Sequence, residues 1–218
     1  LIPAVFDILK ESNIEIIIVD DGSTDGTIEE VREFQKKYPN TFLIKRDKLD
    51  GIGSALTAGY NFAKGKYIIS CDSDLSFQIE DIKKIADTLA TGKYDLVLGS
   101  RYLKESYYEA PNFIIFQKKI ISKLGNIFLH FVTRIPVSDF SADCRGIKNS
   151  IWKSIGVKSK DNFMLFETVW KAYGTGASIS EVPVKFYDRR FGSSKLKLRK
   201  EIFIFLGQLL KLYFSYEK

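Results

Sequence analysis

The chain of 218 residues has two cysteines and one histidine, and this scarcity excludes several kinds of site. Cys71 and Cys144 are too few for a disulfide framework, and a reducing, cytosolic setting fits them. His130 lies in an apolar stretch, where we expect a packed or interfacial residue. No set of histidines and cysteines is available to hold a metal. No run of about 18 uncharged apolar residues is present, so no segment clearly spans a bilayer.

The composition is sufficient for one large domain. Apolar residues make up 45% of the chain and charged residues 28%, so a full core can form. The net charge of +6 is a modest excess. Because no nucleic-acid recognition motif accompanies it, we expect no nucleic-acid partner.

Strands and helices are predicted to alternate through the first half. Strands are predicted at 14–19, 42–45, 67–71 and 95–99, with helices at 28–37, 51–64 and 78–90 between them. Residues 1–10 are predicted to be helical from the first residue onward. This alternation predicts an α/β fold, with a Rossmann-like, mostly parallel sheet flanked by helices. In such sheets, ligands bind beyond the carboxyl ends of the strands.

Asp72-Ser73-Asp74 follows the third predicted strand at such an end. Two carboxylates with one residue between them are an unlikely place to leave charge unpaired. Hard oxygen ligands suit Mg²⁺ or Mn²⁺, and these ions commonly also hold substrate phosphates. The other interpretation is that Asp74 caps a loop or the helix starting near Gln78.

Four motifs in order carry a resemblance. They are Val19-Asp20-Asp21-Gly22-Ser23-Thr24-Asp25-Gly26-Thr27, Asp72-Ser73-Asp74, Gly99-Ser100-Arg101 and Arg189-Arg190-Phe191-Gly192-Ser193-Ser194-Lys195. Together they resemble the family-2 inverting glycosyltransferases with the A-type fold. The last motif, preceded by Glu181-Val182-Pro183-Val184, is similar to the dolichyl-phosphate mannose synthase and polyprenyl-phosphate glycosyltransferase branch.

The resemblance implies roles on the donor side. Asp20 or Asp21 would meet the nucleotide, although this loop also holds good helix caps. Asp72 would contact nucleotide or metal, Ser73 lies in the same nucleotide-sugar motif, and Asp74 would be the principal ligand of Mn²⁺ or Mg²⁺. The mannose synthases often place a Gln two residues after the second Asp. This chain has Ser76 there, as a weaker third ligand.

The resemblance also implies roles around the transferred sugar and the acceptor. Arg101 would lie near the donor sugar or acceptor phosphate, or it is a surface arginine. Arg189 and Lys195 suit a loop that closes on the diphosphate, with Gly192 as a flexible joint. Four residues are expected on the acceptor side: Lys118, Ser122, Arg145 and Glu167. Alternatively, Lys118 and Ser122 belong to the basic face of an amphipathic helix. Glu167 is alternatively a structural partner of an arginine.

Two stretches in the second half combine aromatic, aliphatic and basic residues. We expect 1–195 to form the catalytic domain, with an interfacial amphipathic helix at 112–132, and 196–218 to form a C-terminal amphipathic helix. Helices of this kind lie in the headgroup plane, and anionic lipids attract their basic side. This predicts a peripheral protein at the cytoplasmic face of a membrane. A seam between the two helices or in a homo-oligomer is the alternative.

The expected function is metal-dependent transfer of a hexose, with inversion, from GDP-mannose or UDP-glucose to a polyprenyl or dolichyl phosphate. One alternative is a transferase with a sugar-hydroxyl acceptor, which needs a base such as Asp143 or Glu167. The other is a degenerate nucleotide-sugar-binding module. The family usually begins with a further strand that grips the base, so we expect about 15–30 residues upstream in the natural gene.

Overall fold

A computed structural model describes residues 1–47, 49–188 and 198–216. Helices and strands alternate through its first half, as predicted: α1 Ile2–Ile8, β1 Ile16–Asp20, α2 Thr27–Lys37, β2 Thr41–Lys45, α3 Ile52–Phe62, β3 Tyr67–Ser70, α4 Ile79–Ala90 and β4 Leu96–Ser100. The second half adds β5 Tyr107–Tyr108, α5 Phe113–Thr133, β6 Arg145–Lys148, α6 Asn149–Ile155, α7 Phe163–Gly174, β7 Ile179–Pro183, β8 Lys185–Phe186 and α8 Leu198–Tyr216.

In the described part of the chain, the strands form three sheets. β1 pairs with β2 in parallel, a four-stranded sheet has the order β3-β6-β4-β7, and β5 pairs with β8 in parallel. β4 and β7 are parallel, whereas β6 runs antiparallel to both of its neighbours. The α/β prediction is confirmed, and β6 is the departure from a parallel sheet. The segment before β6 is fastened near the carboxyl end of β4 by the Ser100–Ser138 hydroxyl contact of 2.7 Å, so β6 runs back against β4.

Apolar packing covers both faces of the four-stranded sheet. Side chains alternate along a strand, and in β4 Leu96 and Leu98 join one core cluster while Val97 joins the other. All three are fully buried. The first cluster includes Trp152 and Phe166 of α6 and α7, and the second includes residues of α4. A strand that is covered by helices on both faces has a continuously apolar sequence, and β4 could be predicted for this reason.

A cavity of about 810 Å³ lies between β1 and β3. Consecutive residues of both strands line it, together with side chains of α1. Within the described ranges β1 pairs only with β2 and β3 only with β6, so each strand has one unpaired edge. A strand placed in this cavity would find backbone partners on either side. The upstream strand expected from the resemblance stays a prediction.

The two predicted amphipathic helices are present as α5 and α8. α5 begins after Asn112, whose side-chain oxygen accepts a hydrogen bond from Ile115 N at 3.0 Å. This is the contact expected of an N-cap. In the portion of the chain that the structure describes, neither these helices nor any other combine the length and apolar character needed to cross a bilayer.

Candidate active site

The loop after β1 is organised by Asp20, the last residue of that strand. Its Oδ1 accepts hydrogen bonds from the backbone of Gly22 at 2.9 Å and of Ser23 at 3.0 Å. Burial by itself raises the pKa of Asp20, but the hydrogen bonds from Ser23 and Gly22 outweigh it and hold the pKa below its ordinary value. Asp21 pairs with Arg46, whose Nε lies 3.2 Å from its Oδ1. Asp20 therefore shapes the loop from within, while Asp21 is paired at its surface.

Asp72 and Asp74 share a tight turn directly after β3. Asp74 Oδ1 accepts a hydrogen bond from Ser76 N at 3.0 Å. Leu75, between Asp74 and Ser76, has a φ of 62°, which a non-glycine residue adopts only in special turns. The hydroxyl of Ser76 is buried without a hydrogen-bond partner. Ser73 is exposed on the same turn.

This turn fits a divalent cation that is shared with a substrate. Within the described residues, no three His, Cys, Asp or Glu side chains cluster so as to hold a metal by themselves. Mg²⁺ is commonly bound by one or two carboxylates together with substrate phosphates, so two aspartates meet its needs. The unpaired buried Ser76 hydroxyl adds an oxygen of the appropriate type beside Asp74.

Asp143 faces the same region from the segment just before β6, the antiparallel neighbour of β3. Its Oδ1 accepts a hydrogen bond from Ser70 Oγ at 3.0 Å. Burial raises the pKa of Asp143, and repulsion from Asp74 adds to this, although Arg145 and Ser70 act in the opposite direction. Asp143 was expected as a base for a hydroxyl acceptor. The structure places it at the end of β3, near the turn that holds Asp74.

Arg101 forms a buried ion pair with Asp139. Its Nε and Nη2 donate to the two carboxylate oxygens at 2.8 and 2.9 Å, and Nη2 also donates to Ser141 Oγ at 2.8 Å. The guanidinium lies 5.4–5.5 Å from the ring centres of Tyr102, Tyr108 and Phe186. Burial disfavours its charge, but Asp139 outweighs burial and raises the pKa of Arg101. Arg101 is therefore well placed to position the surrounding loops.

Helix α5 brings Ser122 and Lys119 into contact with this cluster. The Tyr102 hydroxyl donates to Ser122 Oγ at 2.8 Å, and Lys119 Nζ donates to the carbonyl of Tyr108 at 2.9 Å. Lys118 is half-buried one turn before Ser122 on the same helix. Of the expected acceptor residues, Ser122 thus contacts the aromatic side chains around Arg101, and Lys118 lies one turn away from Ser122.

Arg145 is enclosed in the core, contrary to the acceptor role expected for it. It is 1% exposed, and its guanidinium donates to the carbonyls of Phe140, Ala142 and Leu165. Desolvation lowers the pKa of Arg145. Its donors join the segment before β6 to α7, so the geometry indicates a structural role. Arg145 is not carried into the proposed acceptor site.

Glu167 likewise has structural partners. Its carboxylate accepts hydrogen bonds from the backbone of Lys158 at 3.1 Å and Ser159 at 2.8 Å, and Lys171 Nζ lies 2.7 Å away. Burial raises the pKa of Glu167, but Lys171 and Ser159 outweigh it and lower the pKa. The alternative of a structural partner therefore describes Glu167 better, with a lysine in place of the arginine.

The turn of Asp72 and Asp74 is linked to the segment that precedes the Arg189–Lys195 motif. Tyr187 N donates to the carbonyl of Ser76 at 2.8 Å, and Asp188 N donates to Glu109 Oε2 at 2.9 Å. Arg189 and Lys195 themselves lie outside the described residues. The segment that leads into their motif is hydrogen-bonded to the turn that holds Asp74.

Sequence reasoning missed Asp139 as the partner of Arg101. Asp139 is fully buried and lies 38 positions along the chain from Arg101. The available signal was a charged residue within an apolar stretch, since a buried carboxylate requires a cation or several donors.

Comparison with known proteins identifies the family. The family model described as "Glycosyl transferase family 2" matches residues 1–156. The dolichol-phosphate mannosyltransferase of Pyrococcus furiosus is 34% identical over 210 residues, covering 94% of this chain and 56% of that protein. The polyprenol monophosphomannose synthase of Mycolicibacterium smegmatis is 28% identical over 190 residues, covering 84% and 70%. The chain thus spans little more than half the length of the Pyrococcus relative.

Solved structures support the fold. Glucosyl-3-phosphoglycerate synthase from Mycobacterium tuberculosis, in complex with Mn²⁺, uridine diphosphate and phosphoglyceric acid, superimposes with a TM-score of 0.65 at 15% identity. The match covers 97% of this chain and 72% of that one. The resemblance read from the four motifs is confirmed, and the chain belongs to glycosyl transferase family 2.

Proposed function

We propose that this chain transfers a hexose from a nucleotide-diphosphate sugar to a polyprenyl or dolichyl phosphate. The observation that carries the proposal is helix α5, which brings Lys119 and Ser122 into contact with the Arg101 cluster, holds Lys118 one turn before Ser122, and exposes large apolar side chains. An acceptor with an anionic head and a long apolar tail matches both properties. The names of the two curated relatives point to the same class of acceptor.

Asp72 and Asp74 are the residues that would hold a divalent cation, with Ser76 adjacent to them. Mn²⁺ in the solved relative supports this choice, and Mg²⁺ has the same preference for oxygen ligands. When bound, the cation neutralises charge developing on the leaving diphosphate. GDP-mannose and UDP-glucose are the donors to be tested.

The chemistry requires little proton transfer. The acceptor phosphate oxygen is already anionic, so it attacks the anomeric carbon directly while the bond to the diphosphate breaks and the configuration inverts. The protein then has to position the two substrates and balance their charges. Lys118 and Ser122 are placed to hold the acceptor phosphate, and Arg101 fixes the segments around them.

We place the protein peripherally at a membrane surface, at its cytoplasmic face. Support comes from the apolar side chains that α5 exposes before, between and after its lysines: Phe113, Ile114, Phe116, Ile120, Ile121, Leu124, Ile127, Phe128, Phe131 and Val132. Phe203 of α8 is 77% exposed. A row of this size normally marks a protein or membrane contact. Basic residues between apolar ones favour anionic lipid.

The test measures transfer of radiolabel from GDP-mannose or UDP-glucose to dolichyl phosphate with Mn²⁺ or Mg²⁺. Asp74→Asn is the informative variant, because an amide oxygen can still accept the hydrogen bond from Ser76 N although the charge is lost. The exposed Asp87, which pairs with Lys83, provides the control Asp87→Asn. We expect label in the lipid with wild type and Asp87→Asn, and loss of at least about 100-fold with Asp74→Asn. Binding of a donor without label in any product would indicate a nucleotide-sugar-binding module.

A second candidate is transfer to a sugar hydroxyl. It is favoured by Asp143, a buried carboxyl near Asp74 that accepts a hydrogen bond from Ser70. A hydroxyl acceptor needs a base of this kind. Metal-dependent donor hydrolysis without lipid labelling, lost in Asp143→Asn, would favour this candidate.

A further inference from the structure

A second cavity, of about 450 Å³, lies under the flank of α5. Its walls include Tyr102, Lys123, Ile127, Val137 and Glu181. The volume falls within the range of about 300–1,000 Å³ that small ligands occupy. Among the described residues, none of those expected on the donor side (Asp20, Asp21, Asp72, Ser73 and Asp74) lines it.

One end of the cavity adjoins the proposed acceptor-phosphate residues. Tyr102 lines the cavity, and its hydroxyl donates to Ser122 Oγ at 2.8 Å. Lys123 is the next residue on α5 and also lines the cavity. Lys118 lies about one helical turn from Ser122, so its side chain projects from the same side of the helix. An anionic group at this end would meet hydroxyl donors and lysines.

The remaining lining residues combine apolar side chains with polar groups that already bond within the protein. The Asn126 amide bonds to Ser122, Ser141 and Phe140, His130 Nδ1 lies 2.9 Å from the carbonyl of Ile135, and Pro136 adds apolar surface. Glu181 is the only carboxylate among the described residues that line the cavity, and its oxygens are used by the neighbouring segment. Oε2 accepts from Ser138 N at 2.8 Å, and Oε1 accepts from Ser138 Oγ at 2.9 Å and Asp139 N at 3.0 Å. Ile127 and Val137 supply apolar surface.

Ile127 connects the cavity to the exposed apolar row of α5. It lines the cavity and is itself 55% exposed. A ligand with a charged head near Ser122 and Lys123 and an apolar tail can therefore pass from the cavity onto the helix surface. This order of charge and apolar surface is that of a polyprenyl phosphate.

We propose that this cavity holds the first isoprene units of the acceptor, an inference that rests on the proposed function. The cavity then encloses the start of the tail, while later units stay in the membrane or detergent that also surrounds them in the free acceptor. Because only the enclosed units change their surroundings on binding, the first units add affinity and later ones do not.

The experiment uses the full chain and a series of monophosphates bearing one, two, three, four and more isoprene units, in a fixed detergent. The KM for each acceptor is measured at saturating donor. An isoprene unit has five carbons, and burying about two of them corresponds to about a tenfold change in affinity. We expect the KM to fall about tenfold per unit for the first units and then to level off.

Two variants separate the cavity from general attraction to detergent or membrane. Ile127→Trp places an indole at the cavity wall, and Tyr173→Trp adds the same indole at an exposed position of α7 that belongs neither to the cavity lining nor to the apolar row. We expect Ile127→Trp to raise the KM of long acceptors at least tenfold, towards that of the shortest, with little change in kcat. Tyr173→Trp is expected to keep the wild-type dependence on chain length.

The outcomes distinguish the cavity from the proposed function. A KM that keeps falling with every added unit, equally in both variants, would show that partition into detergent sets the preference, and would overturn the cavity assignment alone. If none of these phosphates accepts sugar from either donor, the proposed function fails and the cavity assignment with it.

Discussion

The buried pair of Arg101 and Asp139 provides a sharp test of the site's construction. Asp139 is fully buried, and the Arg101 side chain is 10% exposed. Asp139→Ala would leave the guanidinium without its counter-charge. Breaking a buried pair from one side typically costs about 3–5 kcal/mol. The total free energy of unfolding of a typical domain is about 5–15 kcal/mol, so this loss is large.

The reverse change is expected to cost a similar amount. In Arg101→Met, Asp139 keeps the hydrogen bonds from the backbone and hydroxyl of Ser141, at 3.2 and 3.1 Å, but its fully buried carboxylate loses its counter-charge. The expected cost is therefore again about 3–5 kcal/mol. The double variant removes both charges, so its cost should fall below the sum of the single costs by about 1.5–3 kcal/mol.

Urea unfolding followed by circular dichroism measures these differences, with the slope m as the check that the unfolding transition is unchanged. The matched control is the exposed pair Lys83–Asp87, where Asp87→Ala should cost less than about 0.5 kcal/mol. If Asp139→Ala unfolds within about 1 kcal/mol of wild type, or if the single costs simply add, the pair does not have the role described here.

Three further predictions concern glycine packing, the pH dependence of stability, and Ser76 in the turn that follows β3. A Cβ on Gly146 would lie 2.5 Å from Leu89 Cδ1, so Gly146→Ala should lower the free energy of unfolding in urea by about 1–3 kcal/mol. Gly125→Ala, in open space within α5, should raise it by up to about 1 kcal/mol. Equal effects of the two substitutions would contradict the packing described. Because the folded state lowers the pKa of Glu167 from its ordinary 4.5, its contribution to stability is present above that value and is lost as pH falls through the folded pKa. The urea midpoint of Glu167→Gln should therefore fall less than that of wild type between neutral and acid pH, and parallel curves would argue against the assignment. Ser76→Ala removes an unpaired buried hydroxyl, so the free energy of unfolding should be unchanged or up to about 1 kcal/mol higher. Calorimetry should show severalfold weaker Mn²⁺ binding by this variant. Unchanged Mn²⁺ binding would show that Ser76 is not a ligand.

The parts of the fold set by local pattern could be predicted from the sequence. The amphipathic helix expected at 112–132 is observed at Phe113–Thr133, because the capping side chain of Asn112 and the apolar run are both local. β3 and β4 could be read as continuous apolar runs because helices cover both faces of their sheet. The Asp72–Asp74 turn then followed from its place at the end of β3.

Features that depend on distant partners could not be predicted. Arg145 has the residue type of a phosphate ligand, yet its donors are taken up by carbonyls that include Leu165, 20 positions away. Asp139 pairs with Arg101 across 38 positions. The antiparallel direction of β6 depends on where the preceding segment meets β4. None of these contacts leaves a periodic signal in the chain.

The separation of β1–β2 from the larger sheet has a consequence for local unfolding. Over the described ranges the two units share no ladder, and β1 is covered by α3, which packs so closely that a Cβ on Gly59 would lie 3.2 Å from Val19. Loosening α3 can therefore free the amides of β1 and β2 without breaking a hydrogen bond of the fully buried β4. Amide hydrogen exchange should divide the strands into two classes, with the protection of β4 approaching the limit set by global unfolding and that of β1–β2 below it.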